Sequence, residues 1–410
     1  MKDIPFADRR AKLASSLLDG EATIVFAKPA ENLIKFTQDN NFLYLTGLKI
    51  PEAVLMIVKR GETHSEMLFI ERGIPEREVW DGKKMTPAEA RDISGVEKVQ
   101  FLDEYDGVLG MFAPLLSKVW SNLGAQSLNM PLSLPLFRLE PLRQRYPQLA
   151  IADITKLISP LRMIKDEHEI KALQKAIDVT GQGIMDVMES VTAEMYEYEL
   201  EAMLFYRMQK SGINNWGFAP IIASGVNAAT LHYGRNDCRI EAGQLVLMDV
   251  GASYENYSAD ITRCFPVDER FTDRQRQIYQ IVLDVQKQII SMIKPGMTLG
   301  EMNVRTRELL TEAALAIGLI KEPQEIVKHY MHSVSHFLGM DTHDVGGREA
   351  VLEPGHVVTV EPGLYLEDES LGVRIEDDVL VSEEGHIVLS RSIPKEIAEI
   401  EAIRLQALKK

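Results

Sequence analysis

Leu245-Val-Leu-Met-Asp-Val-Gly-Ala-Ser-Tyr-Glu-Asn-Tyr-Ser-Ala-Asp-Ile-Thr-Arg-Cys-Phe265 reads as two β-strands joined by a turn. Leu245–Val250 is apolar apart from Asp249, Tyr257–Phe265 carries β-branched residues around Asp260, and Gly251–Asn256 between them has turn chemistry. A hairpin of that kind can bring the two aspartates, eleven positions apart, close together. A charge ending an apolar strand must be paired, exposed or bound to a cation, and taken singly each aspartate is more readily a turn or cap residue than a ligand. Taken as a pair they repel, unless they share a proton or a metal.

The theme returns twice. Glu361 ends Val357-Val-Thr-Val-Glu361, and Glu376 lies in an expected strand Val373–Val381, where Arg374 shares its face and is placed to orient its carboxylate. Four of the nine histidines crowd into His329-Tyr-Met-His-Ser-Val-Ser-His-Phe-Leu-Gly-Met-Asp-Thr-His343. A satisfied structural histidine is the preferred reading for His329, His64, His168, His356 and His386. With one histidine among four carboxylates, oxygen donors outnumber nitrogen and mark a hard site, favouring manganese or a similar divalent ion over a thiolate-type zinc centre. Four carboxylates neutralise two divalent cations, and two such ions about 3.5–4 Å apart would bridge a water and present hydroxide to a peptide carbonyl.

Composition excludes several alternatives. The formal charge is −16, from 61 acidic against 45 basic residues, so the field repels phosphate backbones and anionic membrane surfaces, and neither nucleic acid nor membrane is expected as a partner. Cys238 and Cys264 form no Cys-x-x-Cys pair and suit a reducing compartment. The amino terminus, with Asp8, Arg9, Arg10 and Lys12, has no uninterrupted apolar core, and no stretch reaches the roughly 20 apolar residues of a membrane helix. A cytoplasmic location is expected.

A chain of 410 residues suggests two domains. Short β-type runs, Thr23–Phe26, Phe42–Leu45, Ala53–Val58 and Met67–Ile70, mix with helical patterns at Phe6–Leu18 and Pro87–Ser94, giving an α/β domain over residues 1–160. Near Ile158-Ser-Pro-Leu161 the pattern changes, and Asp166 opens a long amphipathic helix to about Val191. Residues 161–410 then alternate strands with helices at Thr272–Ile293 and Thr298–Ala316, an α+β to α/β mixture.

These residues resemble the pita-bread metallopeptidases, and within them the Xaa-Pro aminopeptidases (aminopeptidase P) and prolidases; the likeness runs from about Asp166 to Ser390. The resemblance implies a pita-bread catalytic domain with Asp249, Asp260, His336, Glu361 and Glu376 as ligands of two divalent ions, manganese foremost with zinc or cobalt as substitutes. Asp249 would hold one ion, His336 and Glu361 the other, and Asp260 and Glu376 both. It further implies His232 as a substrate-site histidine, His343 on the scissile carbonyl or intermediate, His332 near a proline subsite, Glu361 as proton shuttle and Arg374 behind the ligands. The first half, through Gln38–Gly47 and Arg77–Gly82, is similar to the smaller creatinase-like α/β domain of that subfamily, which in relatives helps shape the pocket and supports homodimers or homotetramers. Trp80 and Asp39 are candidate contributors. The plain alternatives are a buried aromatic anchoring a loop for Trp80 and a turn residue before a strand for Asp39.

The expected reaction is hydrolysis of the amino-terminal bond of a peptide whose second residue is proline. A prolidase restricted to Xaa-Pro dipeptides is the near rival; a metal-free pita-bread binding protein, or a creatinase-like enzyme, would need gaps in the ligand series, and there are none.

Overall fold

The computed structural model describes residues 6–30, 35–124 and 127–409, and the chain separates into two compact units, Met1–Leu161 and Arg162–Lys410. Among the described residues no helix is long and apolar enough to cross a membrane.

The first unit is built on a six-stranded mixed sheet of β1 (Glu21–Phe26), β2 (Val54–Arg60), β3 (Thr63–Ile70), β4 (Val99–Phe101), β5 (Lys118–Ser121) and β6 (Ala150–Asp153), in the order β4-β3-β2-β1-β5-β6. Ala22, Ile24, Phe26, Val54, Met56, Val58, Met67 and Phe69 form a core on one face with Val108, Leu109, Leu139 and Leu142. The alternate residues Val25, Leu55, Ile57, Leu68 and Ile70 are buried as well, so both faces of the central strands are covered.

The expected strand Phe42–Leu45 is a helix, Asn40–Thr46. Asp39 caps it by accepting a hydrogen bond from the Phe42 N–H, and Gly47 ends it in the left-handed conformation at φ 69°. Local capping outweighs the β-propensity of a four-residue apolar run. Asp39 is therefore a helix cap rather than a turn residue before a strand. Trp80 lies on the helix Pro75–Asp81, none of whose residues is buried, and is 86% exposed. The reading of Trp80 as a buried anchor does not hold.

The second unit opens on the helix Glu167–Ser190, started by a capping box between Asp166 and Glu169. Asp273–Met292 and Leu299–Ala316 are capped in the same way by Thr272 and Thr298. Its strands are β7 (Asn215–Trp216), β8 (Ile221–Ser224), β9 (Leu245–Val250), β10 (Ala252–Tyr254), β11 (Tyr257–Ser258), β12 (Ile261–Pro266), β13 (Val357–Val360), β14 (Gly363–Leu366), β15 (Leu371–Arg374), β16 (Asp377–Val381) and β17 (His386–Val388). They form small sheets β12-β9-β8, β11-β10-β7, β13-β16-β17 and β14-β15.

Two strands expected to be continuous are interrupted. Tyr257–Phe265 breaks at Ala259–Asp260, and Val373–Val381 breaks at Ile375–Glu376. The backbone at each break bonds elsewhere: the Asp260 N–H donates to the Asp378 carboxylate and the Glu376 N–H to the Thr262 carbonyl. Arg263, fully buried, fastens the second break by donating to the Glu376 carbonyl and to Asp377 (2.7 Å). Burial alone would raise Asp377, but Arg263 and Lys395 beside it hold the carboxyl well below the usual range.

The turn between β9 and β12 depends on Gly251, where an added Cβ would lie 1.8 Å from the Ala259 carbonyl oxygen. Gly251→Ala is expected to cost about 3 kcal/mol through overpacking, whereas Gly385→Ala, in open space, changes stability by less than about 0.5 kcal/mol. Denaturant unfolding of the two variants checks this; equal midpoints would mean the turn yields freely.

Candidate metal centre

Asp249 stands near the end of β9, opposite Thr262 of β12, and Asp260 sits in the gap just before β12. Glu376 occupies the gap between β15 and β16, and Glu361 follows β13. His336 lies on the segment whose neighbour Phe337 bridges to Val358 of β13. Each carboxylate donor is thus at or near a strand end or interruption, where a side chain can leave the sheet while its backbone stays anchored.

The donors converge. Ligand atoms of Asp260, His336 and Glu376 all lie within 4.8 Å of one another. His336 Nε2 is 3.3 Å from Asp260 Oδ2 and 3.5 Å from Glu361 Oε1. His336 Nδ1 is 3.0 Å from the Phe337 carbonyl, an obligate acceptor, so the proton is on Nδ1 and the Nε2 lone pair faces the carboxylates. Asp249 turns one oxygen to Arg374 (2.5 Å), while its other oxygen is buried with no hydrogen-bond partner.

Electrostatics makes this set costly without a cation. Burial first, then repulsion from Asp249, raises Asp260 well above the usual carboxylate range, and burial with Asp260 and Glu361 does the same to Glu376. Burial, with Asp260 and Asp249 adding to it, pushes Glu361 up to about 8. Converging buried carboxylates, an orphaned aspartate oxygen and an imidazole with its lone pair turned inward fit a hard divalent metal.

Arg374 does not orient Glu376 as expected, because the strand breaks between them. Its guanidinium bonds Asp249, the Thr262 hydroxyl (3.2 Å) and the Tyr365 hydroxyl (2.9 Å), while Glu376 accepts from Thr262 (2.6 Å). His332 donates from Nδ1 to the Ser333 carbonyl (2.8 Å), so its Nε2 accepts from the Tyr365 hydroxyl (2.8 Å). Burial, chiefly, lowers His332 to about 4, which keeps it neutral.

A cavity of about 670 Å³ joins the five donors, lined by Asp249, Asp260, His336, Glu361 and Glu376 together with His232, His332, His343 and Arg374. Every metal-ligand and catalytic residue expected from sequence lines this cavity, whereas the lesser candidates Trp80 and Asp39 do not. The other five histidines pair elsewhere: His64 with Glu66, His168 with Glu255, His329 with the Tyr365 carbonyl, His356 with the Glu353 N–H and His386 with the Ile293 carbonyl. Sequence reading missed Thr262 and Tyr365. Thr262 carried a signal, two positions from Asp260 and so on the same face of the expected strand; Tyr365 carried none.

Residues 171–383 match the model of metallopeptidase family M24, and residues 6–120 that of the aminopeptidase P amino-terminal domain. The chain belongs to metallopeptidase family M24. Its architecture is that of an aminopeptidase P amino-terminal domain followed by an M24 pita-bread domain, and the family is one of divalent-metal peptidases. The M24 chain is 32% identical to the Xaa-Pro aminopeptidase of Escherichia coli (strain K12), over 98% of each chain. It is 32% identical to Xaa-Pro aminopeptidase 3 of Homo sapiens, over 99% of this chain and 87% of that one. Among solved structures it is similar to aminopeptidase P from E. coli with the inhibitor Pro-Leu, at 31% identity and a TM-score of 0.90, covering 99% of this chain and 98% of that one. It also resembles a proposed aminopeptidase P from Bacillus anthracis, at 41% identity and a TM-score of 0.95 over 98% of each chain.

Two predictions test the donor set. Glu376→Ala is expected to weaken metal binding by more than about 100-fold, beyond the effect of losing an outer partner; a variant with wild-type metal content by elemental analysis would remove Glu376 from it. Glu361, at about 8, is largely protonated at pH 7 before metal binds and must lose that proton on binding, so apparent affinity rises as pH approaches 8. Calorimetry in buffers of different ionisation heat should give different binding enthalpies; identical enthalpies would mean no proton is released.

Proposed function

We propose that this chain is a metallo-aminopeptidase that hydrolyses the amino-terminal Xaa-Pro bond of peptides, with Asp249, Asp260, His336, Glu361 and Glu376 holding two divalent ions, manganese foremost. The observation that carries this is the convergence of all five donors with His232, His332 and His343 on one cavity, in a chain that matches Xaa-Pro aminopeptidases over nearly its whole length. Domains 1–160 and 161–410 divide the work, the second carrying the chemistry.

Bound divalent ions supply Lewis acidity, lowering the pKa of water and polarising a carbonyl oxygen. Glu361, ionised once metal is bound, takes the proton of the attacking water and returns it to the leaving proline nitrogen. His343 and His232 face the cavity and donate to the oxygen on which negative charge develops. His332, kept neutral and fixed between Tyr365 and the Ser333 carbonyl, forms a rigid wall for the proline ring. An Xaa-Pro bond lacks an N–H and restricts the preceding residue, so a site that recognises a ring rather than an extended backbone suits it.

The free thiols of Cys238 and Cys264 support a cytoplasmic setting. Exposed Ile74, Val79 and Trp80 support a homodimer or homotetramer.

Purified protein stripped of metal and reloaded with manganese should cleave an Xaa-Pro-Xaa tripeptide before proline. Cleavage of an Xaa-Pro dipeptide alone would make it a prolidase, and silence on both would leave a binding module. His232→Ala and His343→Ala should keep their metal and lose about 100-fold or more in kcat; loss of metal from either would move that histidine among the ligands.

A further inference from the structure

No hydrogen bond joins the His343 imidazole to any described residue; its ring only meets that of His336 edge-on, with centroids 4.4 Å apart. Its aim therefore depends on its backbone, and that backbone is clamped on both sides. Asp344 is buried, and its two oxygens bind two buried cations: Arg162 to Oδ1 at 2.6 Å and Lys165 to Oδ2 at 3.1 Å. Asp341, two residues before His343, binds the same Arg162 nitrogen at 2.6 Å. The Asp344 N–H donates to the Phe337 carbonyl, the same oxygen that receives the His336 Nδ1 proton. Gly339 makes room for the clamp, since a Cβ there would lie 2.0 Å from Asp344 Oδ2 and 2.9 Å from Lys165 Cε.

We infer that Asp344, gripped by Arg162 and Lys165, is a positioning residue that aims His343 at the reacting carbonyl. The inference rests on the role proposed above for His343. The two cations come from the segment that opens the catalytic unit, some 180 residues earlier in the chain, and grip the loop on either side of His343, a cavity histidine that must turn toward substrate. A buried, doubly bonded carboxylate resists displacement because moving it would take the buried Lys165 ammonium from its carboxylate and Arg162 from one of its two. Exposed surface pairs give no such rigidity.

The test is a double-mutant cycle on a manganese-loaded protein with an Xaa-Pro-Xaa tripeptide, combining Asp344→Asn or Lys165→Met with His343→Ala. Asp344→Asn should lower kcat about tenfold with KM changed less than about twofold, because the histidine's contact grows in the transition state. In the His343→Ala background the same substitution should cost less than about twofold, the mark of two residues acting through one group. Metal content should be unchanged throughout. Should Asp344→Asn fail to fold, Lys165→Met, which leaves the Arg162 bond, decides the matter with an expected loss of about threefold in kcat and the same dependence on His343. Equal losses in both backgrounds, full kcat in the variants, or loss of metal would overturn the positioning role. A wild-type protein that cleaves no Xaa-Pro bond overturns the proposed function instead.

Discussion

The second unit is organised around the repulsion of carboxylates that the fold forces together. Asp249, Asp260, Glu361 and Glu376 come from four separate places in the sequence, and burial raises the cost of ionising them side by side. Arg374 offsets part of it at Asp249, and Thr262 supplies a hydroxyl to Glu376, but among the described residues no second buried lysine or arginine pairs with the set. The cationic groups that could have done so, Arg263 and Lys395, are spent on Asp377, whose carboxyl points away into its own network. A site left acidic in this way is one the protein completes with metal.

Anchoring explains how such a set stays in place. Neighbouring residues on β12 and β16 hold the backbone on either side of each interruption, so the donor side chains are carried by rigid sheet rather than by long loops. Arg263 is the hinge pin of that arrangement, tying β12 to the Glu376 carbonyl and to Asp377. The outer partners then set chemistry as well as position: the Phe337 carbonyl fixes the His336 tautomer, and the chain Arg374–Tyr365–His332 fixes that of His332.

Much of this was legible in the chain. A polar residue on an otherwise apolar strand is visible without coordinates, and the cluster of histidines between His329 and His343 stands out by density. What could not be read was where the strands stop. Pattern alone ran Tyr257–Phe265 and Val373–Val381 through as single strands, because β-propensity does not register that the N–H groups of Asp260 and Glu376 find partners more than a hundred residues away. For the same reason Arg374 was assigned to its neighbour Glu376 rather than to Asp249. In the first unit the error was local: four apolar residues at Phe42–Leu45 suggest a strand until the Asp39 cap and the Gly47 stop are weighed together.

Trp80 stands 86% exposed on its surface helix, and the chain's other two tryptophans differ from it in setting. Trp120 is half-buried in the first unit, its indole N–H given to Glu21, and Trp216 is half-buried in the second, stacked on Phe205 with centroids 5.8 Å apart. The protein thus carries three optically separate reporters: one open to aqueous quenchers, and one shielded in each unit, so that the unfolding of the two halves can be followed by fluorescence without adding a label.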